Sequence, residues 1–369
     1  MTQDVSPVRI GVVGCGNVLG AYLPAIERLR RQGLADLVAL CGREKHRERA
    51  RELGVPAFYT DYDEMLRRDD VDAIVILTPM LTHAALAKAA LLAGKHALVE
   101  KPLATSLEEG RELVALARAR DKYLACAPFT ILSPTFQTIA LRLRRGDIGQ
   151  VVGARGRYGW AGPDWTDWFY KAGGGALFDL GVYNLTTLTG WLGPVRRVMA
   201  MTGVAVAQRI INGQPVRVEA EDNAHVLLDF GPSCFATVMA GFTIQQYRGP
   251  GLELFGTEGT IYLAGDDWDP DGYEIWQNAA GCWQYFKETH PEWPWTDGLR
   301  HLVECIHQRT PPLVTPEHAL HVLEVMLQAQ ASGRDGQARI IESTFPPPVF
   351  DQAAPTAAAH RIHDRTRVE

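Results

Sequence analysis

The chain has 369 residues, 46% hydrophobic and 22% charged, with a formal net charge of −6. That length suits two domains, each able to bury a core, and the composition is that of a water-soluble globular protein. The acidic balance gives no general electrostatic reason to bind nucleic acid or an anionic membrane, so a small molecule is the expected partner.

The opening "MTQDVSPVRIGVVG" carries an early acidic residue and no basic stretch before a long apolar core, so no secretory signal is expected and the protein reads as cytoplasmic. The most apolar long region, residues 71–94, is interrupted by Asp72, Pro79, His83 and Lys88 and cannot span a membrane. The six cysteines (Cys15, Cys41, Cys126, Cys234, Cys282 and Cys305) are scattered, which argues against a disulfide framework and against a zinc site. No metal is expected.

Short apolar runs alternate with longer amphipathic ones over residues 8–126. "VRIGVVG" reads as a strand, 20–32 as a helix, "LVALC" as a strand, 44–53 as a helix, "DAIVIL" as a strand and 82–93 as a helix; "HALVE" and "YLACA" are further strands. Ser106 and Glu109 form a capping box for a helix reaching about Arg118. Unbroken apolar strands alternating with helices predict a parallel sheet covered on both faces, a first domain over 1–126.

After residue 127 the pattern changes. A helix at about 135–145 precedes runs such as "NAHVLLDFG", "CFATVMAGF", "LELFGTEGTIYL" and "YEIWQN", joined by Gly-rich turns, with another helix at about 316–331. Alternation of Ala224, Val226 and Leu228 with other residues predicts an antiparallel strand covered on one face. The expectation is an α/β chain: a Rossmann domain, then a substrate and oligomerisation domain over 127–345 built on a mostly antiparallel open sheet. Residues 346–369, rich in Pro and Ala, read as a mobile tail or an arm packing on another subunit.

Gly14 and Gly16 stand between the first strand and the first helix, where one glycine permits a tight turn and the next lets backbone approach a pyrophosphate at the helix start, Asn17 and Val18. Leu19 replaces the third glycine of G-x-G-x-x-G, and Gly20 follows. Alone the motif also fits a structural turn; opening a strand-helix-strand series, it points to nucleotide binding. The second strand ends in "LCGREKHR", with Gly42 where an NAD site has a carboxylate and Arg43 beside it, which favours the 2′-phosphate of NADP(H). The bland alternative makes Arg43, Lys45, His46 and Arg47 a solvated helix turn, and Glu44 leaves room for NAD(H).

"HALVEKPLAT" sets Glu100, Lys101 and Pro102 at the end of a buried strand, either as a charged turn or as a working lysine at the carboxyl edge of a parallel sheet. Taken with "TPMLTHA" at 78–84 and "GGGALFDLGVY" at 173–183, this strand end resembles the glucose–fructose oxidoreductase, inositol dehydrogenase and rhizopine-catabolism family, Gfo/Idh/MocA. The resemblance runs from the glycine turn to about residue 345. It implies reversible hydride transfer between a nicotinamide and a carbinol carbon, usually of a sugar, cyclitol or polyol. It implies cofactor contacts from Thr78, Pro79, His83, Glu100 and Lys101, and a site completed by Asp179. Tyr183 stands where most members have histidine, which looks like the branch holding glucose–fructose oxidoreductase and the dihydrodiol and xylose dehydrogenases. The family's open sheet implies a homodimer or homotetramer. Physically, oxidising an alcohol needs a group that takes its proton, and a lysine beside a phenol can shift the pKa values of both.

Trp160, Trp165, Trp168 and Tyr170 crowd into a loop just before Asp179, where they would either stack on a sugar ring, with Asp164 or Asp167 binding hydroxyls, or pin the loop by packing. Trp268, Trp276, Trp283, Trp293 and Trp295 form a second group that could serve the pocket, a subunit contact or the core. The reading is an NADP(H)-preferring sugar or polyol dehydrogenase or reductase. Its rivals are an enzyme that holds NAD tightly and oxidises a sugar transiently, as in glycoside cleavage, and a nucleotide-binding sensor without turnover.

Overall fold

The computed structural model describes residues 6–249, 251–288, 290–350 and 359–361. The chain forms two compact units, residues 1–129 with 296–323 and residues 130–295 with 324–369.

The first unit alternates strand and helix: β1 (Val8–Val13), α1 (Asn17–Arg31), β2 (Ala35–Cys41), α2 (Arg47–Glu52), β3 (Ala57–Tyr59), α3 (Tyr62–Leu66), β4 (Ala73–Ile76), α4 (His83–Leu92), β5 (His96–Val99), α5 (Leu107–Ala119) and β6 (Leu124–Cys126). The strands form one parallel sheet in the order β3-β2-β1-β4-β5-β6. Ile10, Val12, Ile74, Val75, Ile76, Leu98 and Val99 are fully buried, because helices cover both faces and every strand side chain meets apolar neighbours. The Ser106 hydroxyl accepts from the Glu109 N–H and donates to its carboxylate, which starts α5 as the capping box predicts. Chain order reverses between β1 and β4, so the carboxyl ends of these strands frame a crevice of the kind where open α/β sheets bind ligands.

The second unit contains α6 (Pro134–Arg144), β7 (Val151–Gly159), a π-helical turn (Leu177–Gly181) running into α7 (Val182–Leu192), then β8 (Arg197–Gly203), β9 (Gln208–Ile211), β10 (Gln214–Arg217), β11 (Asn223–Gly231), β12 (Cys234–Gly241), β13 (Leu252–Gly256), β14 (Gly259–Asp266), β15 (Asp269–Gln277) and β16 (Cys282–Lys287). Helix α8 (Gly298–Gln308) belongs to the first unit, where it packs on α1, β1, β5 and β6. The boundary between units falls within α9 (Pro316–Asp335), and β17 (Arg339–Ile340) and β18 (Ala359–Arg361) follow. A ten-stranded sheet runs β17-β8-β11-β12-β7-β13-β14-β15-β16-β18, antiparallel except between β12 and β7. Ala224, Val226 and Leu228 are buried between exposed His225 and Leu227, as one-sided alternation predicts.

Of the tail, residues 346–350 are ordered on α6: the Arg144 guanidinium donates to the Pro348 carbonyl at 2.6 Å and Phe350 meets Phe136 edge-on. Residues 351–358 and 362–369 lie outside the described residues. Among the described residues no helix is long and apolar enough to cross a membrane.

Candidate active site

Four strand ends build the carboxyl edge of the first sheet. At the end of β1, Gly14 has φ +102°, and a Cβ there would lie 2.6 Å from the Leu77 carbonyl, so only glycine lets this turn lie against the end of β4. Gly16 caps α1 without a side-chain bond, and the first turn of α1 holds no acidic residue. A Cβ on Gly16 would meet nothing within 4 Å, and Gly16 and Asn17 are exposed. An exposed helix start with no side-chain cap and no acidic residue in its first turn fits a dinucleotide pyrophosphate.

At the end of β2, a Cβ on Gly42 would lie 2.8 Å from Cys15 Sγ and 3.2 Å from His46 Nδ1. Packing alone therefore accounts for this glycine, apart from any cofactor preference. Glu44 is held by Arg47 at 2.5 and 2.8 Å, and Arg49 Nη1 donates to the carbonyl oxygens of Cys15 and Gly16, bracing the glycine turn. His46 Nδ1 is buried with no partner among the described residues, and burial followed by the charges of Lys45, Arg43 and Arg49 depresses the imidazole pKa.

His83 is 1% exposed, with Nδ1 2.8 Å from the Pro102 carbonyl and Nε2 2.8 Å from the Thr78 carbonyl. Both ring nitrogens face protein carbonyls, of which the neutral ring donates to one, so His83 braces the 78–82 loop against the strand-end turn. Burial pulls its pKa down against the two carbonyls. Glu100, also buried, accepts from the Tyr22 hydroxyl at 2.7 Å and from the Lys101 N–H at 3.2 Å. It likewise fixes the turn from within. Lys101 is half-buried, Pro79 is exposed, and the half-buried Thr78 hydroxyl meets that of Thr82 at 2.7 Å.

In the second unit, every residue from Gly174 to Gly190 is buried except Asp179 and Tyr183. They are four apart across the π-helical turn and α7, which puts them on one face. Tyr158 on β7 meets Tyr183 edge-on at 5.7 Å between ring centres. Burial, then Asp266, Asp267 and Asp179, push the Tyr158 phenol pKa well up, which keeps it a neutral hydroxyl. Helix α7 lies so near the sheet that a Cβ on Gly156 would be 3.0 Å from the Asn184 Cβ. Behind it, the carboxyl of buried Asp267 accepts from Asn184 and Thr187, both at 3.0 Å, while its other oxygen has no partner among the described residues.

The aromatic loop divides. Trp160 and Trp165 stack at 5.7 Å, and Trp165 is 49% exposed; the half-buried Trp168 packs on Phe169, and Asp164 and Asp167 are exposed. Tyr170, expected at the substrate, is 1% exposed and donates to the Pro163 carbonyl at 2.7 Å, which makes it a packing residue beside Phe242. Tyr22, Arg49, Tyr158 and Asp267 were not singled out from sequence.

Residues 8–127 match the model of an oxidoreductase family with an NAD-binding Rossmann fold, and residues 136–262 match the GFO/IDH/MocA C-terminal domain. The chain belongs to the GFO/IDH/MocA oxidoreductase family. It is 32% identical over 265 residues to dTDP-3,4-didehydro-2,6-dideoxy-alpha-D-glucose 3-reductase of Streptomyces violaceoruber, covering 71% of this chain and 74% of that one. With trans-1,2-dihydrobenzene-1,2-diol dehydrogenase of Bos taurus it shares 25% identity over 351 residues, 87% and 96% of the two chains. The crystal structure of GenD2 from gentamicin A biosynthesis in complex with NAD superposes with a TM-score of 0.76 at 28% identity, over 92% of this chain and 97% of that one. This GFO/IDH/MocA member is accordingly an oxidoreductase with an NAD-binding Rossmann domain and a mostly antiparallel second sheet.

Asp267 generates a pH prediction. Burial pushes its carboxyl up to about 7, although the bonds from Asn184 and Thr187 favour the ionised form. In the unfolded chain the value is about 4. Between these limits the folded state keeps a proton that the unfolded state has released, so stability is fully present below about pH 4 and falls as pH rises through 7. Asp267→Asn keeps the shape and removes the slope. Its melting temperature should exceed that of the parent at pH 8 and approach it near pH 5; a gap that does not widen with pH would exclude Asp267 as the source.

Proposed function

We propose that this chain is an NADP(H)-preferring enzyme that moves hydride reversibly between the nicotinamide and a carbinol or keto carbon of a sugar, cyclitol or related polyol. The observation that carries the reading is the pair Asp179 and Tyr183, the two positions left open along an otherwise buried helix, in a chain whose Lys101 ends a buried parallel strand. The relatives add support, since their names specify a keto sugar and a cyclic diol.

The nicotinamide, when bound, gives or takes the hydride. The chain must then remove or supply the hydroxyl proton and orient the carbon. Lys101 and Tyr183 are the groups assigned to that proton, and Asp179 is assigned to a neighbouring substrate hydroxyl. The backbone N–H groups of Asn17 and Val18 hold the pyrophosphate. Crowding of Arg43, Lys45 and Arg49 around His46 supports a 2′-phosphate, because an added dianion relieves like-charge repulsion that a ribose hydroxyl would leave in place. The Glu44–Arg47 pair decides less, since water screens it.

The open face of the second sheet supports association with another copy. Met199 and Met201 on β8, Leu227 on β11 and Phe235 on β12 are exposed by 42, 78, 47 and 49%. We assign this face to a homodimer or homotetramer contact.

Arg43→Ala should weaken NADP binding about tenfold or more and leave NAD binding unchanged, as removal of a charged hydrogen-bond partner predicts. Equal losses for both dinucleotides, measured by fluorescence titration, would sink the preference. Gly42→Asp is the poorer test, since its Cβ collides with Cys15.

Lys101→Ala and Tyr183→Phe should each keep NADP affinity and lose at least about two orders of magnitude in kcat on whichever sugar or cyclitol the parent oxidises. A fully active, folded Tyr183→Phe would return that tyrosine to packing.

Met201→Lys combined with Leu227→Lys should reduce the molar mass in light scattering to that of one chain. A parent that is already monomeric removes the proposed contact.

A further inference from the structure

A cavity of about 460 Å³ opens within the second unit, beside the candidate catalytic helix. Its chemistry comes from six side chains: Tyr158, Trp160, Gln246, Tyr247, Asp266 and Trp268. Tyr158 connects it to the site already described, since the same ring meets Tyr183 edge-on. The volume lies in the range of small-ligand pockets. Among the described residues that line it there is no lysine, arginine or histidine. Arg157 is engaged nearby, stacked over the Tyr247 ring at 4.4 Å and donating to the Arg248 carbonyl at 2.8 Å.

The polar groups are set for hydroxyls. The Tyr247 hydroxyl donates to Asp266 Oδ1 at 2.9 Å, which leaves the carboxylate with further acceptor capacity. Gln246 Oε1 accepts from the Tyr247 N–H at 3.1 Å, which leaves its NH2 end to donate to a ligand. The aromatic walls offer faces for the C–H side of a ring. Asp266 already stands near Asp269 and Asp271, so a phosphate, pyrophosphate or uronic carboxylate brought here meets like charge, while the cation beside the cavity, Arg157, is already engaged by the Tyr247 ring and the Arg248 carbonyl.

We propose that this cavity holds a neutral sugar ring of the substrate, and that the enzyme therefore takes free or glycosidically linked sugars rather than phosphorylated, nucleotide-linked or uronic ones. This rests on the sugar-oxidoreductase reading above and narrows its substrate class. It also separates this chain from its dTDP-sugar relatives, whose substrates carry a diphosphate.

The test is binding, followed by saturation-transfer NMR on the full chain with NADP present. The probes are D-glucose, D-xylose, myo-inositol and methyl β-D-glucoside, set against D-glucose 6-phosphate, D-glucuronate and dTDP-D-glucose. At least one neutral probe should bind ten times or more tighter than each anionic one. Trp268→Ala and Asp266→Asn should each weaken it at least tenfold, Trp268→Phe should restore stacking and most of the affinity, and Asp266→Lys should reverse the order of neutral and anionic probes. Melting temperatures identify any variant that fails to fold, in which case Trp268→Phe and Asp266→Asn carry the comparison. Tighter binding of an anionic probe by the parent, no binding of any neutral probe, or neutral binding indifferent to both Trp268 and Asp266 would overturn the inference. Turnover is scored separately: a neutral sugar bound through Trp268 but never oxidised refutes the proposed activity and leaves the cavity assignment standing, whereas turnover of anionic sugars alone does the reverse.

Discussion

The contact on which the cofactor edge depends is backbone against backbone. Gly14 lies so close to the Leu77 carbonyl that no side chain fits between them, and this approach brings the β1 turn onto the end of β4. Three further backbone bonds hold the same edge: Gly14 N–H to the Cys41 carbonyl, Leu77 N–H to the Val13 carbonyl and Glu100 N–H to the Ile76 carbonyl. With β1, β2, β4 and β5 pinned at their carboxyl ends, the turns that follow have little freedom. Buried Glu100 and His83 then set the turn around Lys101 from inside, one through Tyr22 and the other through two carbonyls. Side chains that resemble cofactor ligands are spent on making the edge rigid, which is what a site needs from the layer behind it.

A similar logic governs the second unit with different materials. Helix α7 is pressed onto β7, where Gly156 lies against Asn184, and the π-helical turn before it onto β12, where Gly181 lies against Ala240, so nearly all of both disappears into the core. The π-helical turn before α7 resets the phase of the side chains, and two polar positions emerge on one face. Asp267, Asn184 and Thr187 anchor the hidden side by hydrogen bonds rather than by shape alone. A buried carboxyl is costly there unless it is paired or protonated, and its pKa near 7 records that cost.

How much of this was legible in the sequence depended on the range of the contacts involved. Local signals read well. Apolar strands separated by amphipathic helices gave the parallel sheet, period-two alternation around Val226 gave the one-sided antiparallel sheet, and Ser106 with Glu109 gave a helix start. Elements with little local signal did not read: β3 and α3 are three and five residues long, and α8 follows a Trp- and Pro-rich run that hides its entry, although its apolar face belongs to the first unit. The residues behind the site were invisible for another reason. Tyr22 meets Glu100 across 78 positions and Thr187 meets Asp267 across 80, separations that no periodicity reports. "GDDWDPDG" looks like a solvated acidic turn, yet Asp267 within it is 5% exposed. His83 and Tyr170 show the same limit from the other side: composition reveals their chemistry but not that their polar atoms already meet backbone carbonyls.

The two units also differ in the sign of the charge they offer, and this bears on how one protein sorts two very different ligands. At the end of β2 the cations Arg43, Lys45 and Arg49 bear on one imidazole, while the local carboxylate, Glu44, is tied to Arg47. Around β14 and β15, Asp266, Asp267, Asp269 and Asp271 accumulate with two phenols held neutral beside them. A dinucleotide phosphate gains charge-assisted bonds in the first setting and repulsion in the second; a ring bearing only hydroxyls gains little from the first and finds acceptors in the second. Under the proposed reading, the separation of charge would then keep the cofactor's phosphates and the substrate's hydroxyls from competing for the same groups, without requiring a shape filter fine enough to tell one sugar from another.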